Sequence, residues 1–214
     1  MADRPMNELS LSEYLKVLAG GDPAPGGGSA AALAAALAAA SGEMVANFTV
    51  GRKKYAAVDA EVREHMAAIG DIRVELTELV QADVAAYSAV GAAYAMKRDT
   101  DENKSARAAA IQDALRGAAD IPLALARCCA ELAEFLPPLA AKGNRNLISD
   151  VGVAARMCEA AFDCARLNVE VNLALMDDAE FAMRARAELL VKGEATRRTC
   201  GQVWAQVMAE VTKE

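Results

Sequence analysis

Asp83 stands three residues after Val80 and four before Tyr87, on a stripe of apolar residues at helical spacing. A carboxylate there is either an acid at the stripe's edge, paired with a neighbouring cation, or a partly buried group with an altered proton affinity. Its position leaves both readings open. Asp150 follows Ser149 where an apolar-periodic run begins. Unpaired peptide N–H groups and the helix dipole stabilise an anion at such a point, so capping is the reading its position favours. Gly26, Gly27 and Gly28 precede Ser29 and would offer backbone N–H groups at a helix N-terminus, a cradle for a carboxylate or a polar ring edge. The same glycines also suit a tight turn that lets a small-residue helix pack closely. Arg52, Lys53 and Lys54 form the densest basic cluster of the chain, fit for a carboxylate-bearing ligand or for a solvated helix end.

Asn168 and Asn172 sit one turn apart and share a face with Asp150. At ~1.5 Å per residue, Asp150 and Asn168 are ~27 Å apart, so one helix cannot bring both to one small ligand. Bonding across a helix or subunit interface is the reading adopted for the asparagines, with a second site as the alternative. His65, the sole histidine, lies among Glu61, Arg63 and Glu64 and reads as a surface residue without a catalytic role.

The elements that must hold these groups are helices. Residues 9–19 predict a short first helix, and the turn-rich run 20–28 follows it. Ser29 is then placed to cap a second helix, in which Leu33, Leu37, Met44 and Phe48 recur at helical spacing while alanines fill the remaining circumference and let backbones approach. This helix is expected at the centre of a bundle. Residues 58–94 lack proline and keep an apolar stripe running through Val62, Met66, Ile69, Leu76, Val80, Val84, Tyr87 and Val90, predicting one long helix. A polar connector over 97–104 leads to Ser105 as the cap of a helix through Asp120. Pro122 is expected to kink the path or start another helix, ending near Pro137. Residues 143–146 read as a loop, Ser149 and Asp150 open a helix reaching Met176, and 180–212 form the last. No internal repeat and no strand-period segment is found. The fold expected is all-α, a single domain over 1–214 built as a bundle of long, mostly antiparallel helices.

Composition agrees with that expectation. Apolar residues make up 54% but aromatics only 4%, so the core must be assembled from Ala, Leu, Val, Ile and Met at close helix–helix spacing. The longest apolar stretch, 30–40, is too short to cross a hydrocarbon core, and Asp3, Arg4 and Glu8 interrupt the start, where a signal peptide would be apolar. A cytoplasmic location without membrane contact is expected. Cys128, Cys129, Cys158, Cys164 and Cys200 are an odd set without C-x-x-C spacing, which argues against a disulfide framework or a zinc site and for reduced core thiols. A net charge of −7 argues against nucleic acid as a partner.

Four motifs fall in one order: PAPGGGSAAALAAAL, MVANFTVGRKKY, GNRNLISDVGVAA and RLNVEVNL. Together they resemble the cyclodeaminase/methenyltetrahydrofolate cyclohydrolase family over roughly residues 9–180. That unit occurs alone as a bacterial cyclohydrolase of one-carbon metabolism, or as the C-terminal half of formiminotransferase-cyclodeaminase. The runs DTDENKSARAAAIQDAL and DIPLALARCC look closest to the stand-alone form. The resemblance implies an enzyme that hydrolyses methenyltetrahydrofolate to formyltetrahydrofolate, or alternatively a cyclodeaminase that releases ammonia from formiminotetrahydrofolate. It also implies a homodimer with the site near the subunit interface, and no cofactor or metal beyond the tetrahydrofolate substrate.

Methenyltetrahydrofolate is an amidinium cation, so its hydrolysis calls for a carboxylate that favours the cation and accepts a proton, and for a group that protonates the leaving nitrogen. The resemblance assigns Asp83 and Asp150 as the catalytic carboxylates. It assigns Gly26, Gly27, Gly28, Ser29, Asn144 and Ser149 to substrate binding, and Lys53 and Lys54 to the glutamate tail. Two rivals come from other classes. One is a non-enzymatic helical interaction protein with a purely structural glycine loop. The other is a di-metal four-helix protein, which the missing Glu-x-x-His pairs disfavour.

Overall fold

The computed structural model describes residues 4–213; residues 1–3 and 214, with Asp3 of the charged start among them, lie outside the described residues. Six α-helices run in order: α1 Leu11–Leu18, α2 Gly27–Asn47, α3 Asp59–Tyr94, α4 Asp101–Lys142, α5 Ile148–Leu173 and α6 Ala179–Val211. A 3-10 turn at Met6–Glu8 precedes α1, 3-10 segments at Lys53–Val58 and Arg145–Leu147 lie between α2 and α3 and between α4 and α5, and the described residues contain no strand. Helix α2 packs on α3 and α5, and α4 packs on α3, α5 and α6. Cross-helix pairs fix the directions. Ser29 meets Asp83 while Glu43 meets Arg73, so α2 and α3 are antiparallel. Gly27 lies under Asn168 while Thr49 meets Asn144, so α5 also runs against α2. Helices α4 and α6 are the parallel exception, with Arg116 on Asp178 and Arg127 on Glu188.

The first helix starts where a capping box forms, Ser10 Oγ accepting from the Glu13 N–H and the Ser10 N–H donating to Glu13 at 2.8 Å. Helix α2 is central, as expected, but turned inside out. Its core face is Ala31, Ala32, Ala35, Ala38, Ala39, Gly42 and Ala46, whereas Leu37 and Phe48 are nearly half exposed. Small side chains let the α2 backbone sit close to α3 and α5, and this excludes the larger ones from that face. On α3 the apolar stripe is buried through Val62, Ile69, Leu76 and Val80, then emerges at Tyr87, which is 52% exposed. Asp83 lies at that change from core to open wall.

Three expectations fail on helix ends. Gly26, not Ser29, is the N-cap of α2, and Ser29 is already inside the helix. Thr100, not Ser105, caps α4, its Oγ1 accepting the Asn103 N–H at 3.1 Å. Helix α4 is also one helix, not two, because it runs unbroken through Pro122 and on through Pro137 and Pro138. Pro122 has no N–H to offer the Ala118 carbonyl one turn earlier. Asn172 on α5 supplies the missing donor, its Nδ2 reaching the Ala118 oxygen at 3.1 Å. A buried carbonyl left without a partner costs about 1–3 kcal/mol, so this bond offsets much of the penalty of an internal proline.

Four cysteines are buried and Cys164 is exposed, so it departs from the expected set of core thiols. Burial pushes the Cys128 thiol up to about 12. His65 also departs from the surface reading, since its ring leans on Phe135 with centroids 5.4 Å apart.

Candidate active site

The start of α2 and the middle of α3 make the contact on which the site is built. Gly27 and Gly28 occupy the first two positions of α2, where peptide N–H groups have no partner within the helix. The third, that of Ser29, donates to Asp83 Oδ2 at 2.8 Å. Asp83 thus does from another helix what a local capping side chain would do. The fit requires glycine: a Cβ on Gly28 would lie 2.0 Å from Asp83 Oδ1 and 2.6 Å from its Cγ.

Ser29 is fully buried, and its hydroxyl acts as a pin. Its Oγ donates its single proton to the Val80 carbonyl at 2.9 Å, which leaves Tyr14 as the donor in the 3.0 Å bond between the two hydroxyls. Tyr14, Ser29 and Val80 therefore lock α1, α2 and α3 together directly beneath Asp83. Burial raises the proton affinity of the Asp83 carboxyl above the usual aspartate value, and the Ser29 N–H opposes that rise. Burial pushes the Tyr14 phenol up as well, and the nearby Asp83 charge adds to the rise.

Above this contact opens a cavity of about 380 Å³, within the range of small-molecule sites. Its polar lining is Gly26, Gly27, Gly28, Asp83, Asn168 and Asn172; Tyr87, Val90, Leu115 and Leu175 are among its apolar walls. A second groove of about 750 Å³ adjoins it, shares Pro23, Ala24 and Tyr87, and carries Lys16. Asn172 bonds across a helix interface as expected, to the Ala118 carbonyl of α4, and both asparagines also line this cavity, although sequence reasoning did not count them among the site residues. The separation from Asp150 is real, but the antiparallel pairing of α2 and α5 carries them to Asp83 instead. The available signal was their presence in RLNVEVNL, one of the four ordered motifs.

The other expected site residues gather at the far end of α2. At ~1.5 Å per residue its 21 residues separate the two ends by ~30 Å. Lys53, Lys54 and Ser149 are exposed there, and Asp150 sits in the first turn of α5. Asn144 makes three side-chain bonds: its Nδ2 donates to the Phe48 carbonyl, and its Oδ1 accepts from the Asn146 N–H and the Tyr55 hydroxyl. Within one chain the structure thus brings Asp83 together with Gly26, Gly27 and Gly28, and keeps Lys53, Lys54, Asn144, Ser149 and Asp150 apart from them. Ser29 reaches the site only through its backbone N–H. Among the described residues, no three His, Cys, Asp or Glu side chains converge as metal ligands.

An all-helical bundle whose cavity joins a half-buried carboxylate to a glycine helix start defines a class of small-molecule binding folds. The particular family follows from comparison: the formiminotransferase-cyclodeaminase profile matches residues 10–190, and the chain belongs to this family. It is 43% identical over 180 residues to a methenyltetrahydrofolate cyclohydrolase of Methylorubrum extorquens, covering 84% of this chain and 86% of that one. It is 37% identical over 179 residues to the formimidoyltransferase-cyclodeaminase of Sus scrofa, covering 84% of this chain but only 33% of that longer protein. The crystal structure of a formiminotetrahydrofolate cyclodeaminase from Thermotoga maritima superimposes with a TM-score of 0.78 at 32% identity, over 96% of each chain.

Proposed function

We propose that this protein is an enzyme of folate one-carbon metabolism that hydrolyses methenyltetrahydrofolate to formyltetrahydrofolate. The observation that carries the reading is the Asp83 carboxylate, half-buried at the cavity and held by the Ser29 N–H beside the unpartnered N–H groups of Gly27 and Gly28. An anion there favours the amidinium cation, and its raised proton affinity suits it to take a proton from water. As the C–O bond forms at the bridging carbon, Asp83 accepts that proton and the amidinium becomes a neutral tetrahedral adduct. Collapse breaks one C–N bond, removes the hydroxyl proton from oxygen and places one on nitrogen. The balance is formyltetrahydrofolate and one proton, which leaves from Asp83. The Gly27 and Gly28 N–H groups are placed to receive the oxygen as it becomes a carbonyl. Water, the carboxylate and peptide groups suffice for these steps, with no further cofactor.

The similarity to the Thermotoga maritima protein favours a second reading, cyclodeamination of formiminotetrahydrofolate, which closes the same amidinium ring with loss of ammonia. One assay separates them. Purified protein is offered each substrate, and methenyl absorbance is followed against the spontaneous rate. Enzyme-dependent loss from methenyltetrahydrofolate supports the hydrolase, and enzyme-dependent gain from the formimino compound alone overturns it.

The same proposal includes a homodimer in the cytoplasm. Support for the dimer comes from α5, where Val153, Leu167 and Val171 lie exposed, with Leu175 just beyond its end. Self-pairing of α5 in antiparallel fashion would cover this face. It would also bring the partner's copy of the Lys53 and Lys54 end toward this chain's cavity. Sedimentation at assay concentration tests it, and a fully active monomer would remove the dimer from the proposal.

A further inference from the structure

Asn168 and Asn172 line the cavity, and the hydrogen-bond network fixes which way each amide faces. Asn172 spends both Nδ2 protons on carbonyls, that of Ala118 at 3.1 Å and that of Asn168 at 3.0 Å. Asn168 Nδ2 donates to the Cys164 carbonyl at 2.8 Å. Turning either amide over would set oxygen against oxygen, so the assignment of Nδ2 and Oδ1 is forced. Among the described residues neither Oδ1 has a partner. The Asn168 amide lies directly over the cradle, 3.9 Å from where a Gly27 Cβ would stand. One wall of the cavity therefore offers two acceptors free for a ligand, while the helix start offers N–H donors that have no partner among the described residues.

We propose that Asn168 and Asn172 are specificity-determining residues that accept hydrogen bonds from the donor edge of a bound 2-amino-4-oxopyrimidine ring, its exocyclic amino group and adjacent ring N–H. This rests on the folate reading above and deepens it. An amino group next to a ring N–H matches two neighbouring amide oxygens, and the apolar walls at Tyr87, Val90 and Leu115 suit the ring faces. Held by that edge, the ring has a fixed orientation in the cavity that Asp83 also lines. The Pro122 break is part of the device. By leaving the Ala118 carbonyl open it draws the Asn172 NH₂ toward α4 and so frees Oδ1 for the ligand.

The experiment compares binding of tetrahydrofolate with its 2-desamino-2-methyl analogue by calorimetry, on wild type, Asn168→Ala, and the double variant Pro122→Ala, Asn172→Leu. The double variant returns a helix N–H to the Ala118 carbonyl, so removing Asn172 strands no acceptor; Pro122→Ala alone is the control. Each neutral hydrogen bond corresponds to several-fold in affinity, so wild type is expected to prefer tetrahydrofolate by ~10-fold. Asn168→Ala and the double variant should each lose most of that preference with melting temperatures near their controls, and Pro122→Ala should keep it. A preference unchanged in both asparagine variants overturns the assignment while leaving the folate reading intact. Wild type that binds neither compound overturns the folate reading, and this inference with it. If Asn168→Ala and the double variant weaken both ligands equally, the asparagines shape the cavity without reading the ring edge, which also overturns the assignment.

Discussion

The two ends of α2 are furnished with the same residue types and use them in opposite ways. At its start stand a carboxylate, a serine and two asparagines: Asp83, Ser29, Asn168 and Asn172. At its far end stand Asp150, Ser149 and Asn144. Around the start, Asp83 and Asn172 bond to residues distant in sequence and Asn168 to its own helix, and all three line the cavity, while the Ser29 hydroxyl is fully bonded beneath it. At the far end Asn144 is held by the backbone of residues 48 and 146 and the hydroxyl of Tyr55, with both bonds to its Oδ1 made within the protein, while Ser149 is open to water. Residue type therefore distinguishes neither end as a site. Leftover bonding capacity converging on one cavity does, because several groups can then engage one ligand at once.

The strongest way to break this contrast is to neutralise one carboxylate at each end. Asp83→Asn should lower saturated turnover by ~100-fold or more while the fold survives, whereas Asp150→Asn should stay within a few-fold of wild type. Steady-state kinetics beside thermal melts decides it, and equal losses at both ends would erase the distinction. Next in size is Gly28→Ala. Its methyl group would have to displace the Asp83 carboxylate, so turnover should fall by ~10-fold or more with a stability cost of about 1–3 kcal/mol. Gly27→Ala meets nothing closer than 3.9 Å and should mainly raise KM by narrowing the cavity.

A smaller effect belongs to the far end. Lys53→Met with Lys54→Met should raise KM a few-fold, reduce the preference for polyglutamylated folate and weaken salt sensitivity, with saturated turnover little changed. Since ~30 Å separates these lysines from their own cavity, such an effect should require the dimer. Lys16→Met, in the groove adjoining the cavity, is the comparison: if it alone raises KM, the tail runs within one chain.

The smallest effect is on stability. The folded Asp83 carboxyl titrates above its unfolded value, so the folded state holds the proton more tightly. This favours folding at low pH and is lost as pH rises from the ordinary value of 3.8 through the folded one. Asp83→Asn removes that dependence. Its melting temperature should equal or exceed that of wild type near neutrality, with the difference shrinking as acid is added; the opposite trend would place a stabilising charge partner beside Asp83.

Helix α3 was legible because nothing in residues 59–94 interrupts its period, and Asp83 was legible as the acid on an apolar stripe. The bond from Ser29 was not, since it joins two helices whose relative register only packing decides. At Pro122 the sequence left open a kink or a new helix, because local rules count only the missing N–H. The replacement donor, Asn172, comes from a different helix. The inverted face of α2 shows a second limit. Periodicity finds the large residues, but where backbones approach closely it is the alanines that are buried.

That alanine face has a consequence for chain entropy. Ala35, Ala38, Ala39 and Ala46 are fully buried yet surrender no rotamer freedom on folding, so each ordered residue costs only its backbone share. The same economy leaves nothing to rearrange. A leucine core can absorb an extra methyl by switching rotamers, but Ala35→Val or Ala39→Leu would have to push α2 away from the helices packed closely on it. Substitution on that side of α2 should therefore be confined to Ala, Gly and Ser, however freely the outward Leu37 and Phe48 positions drift.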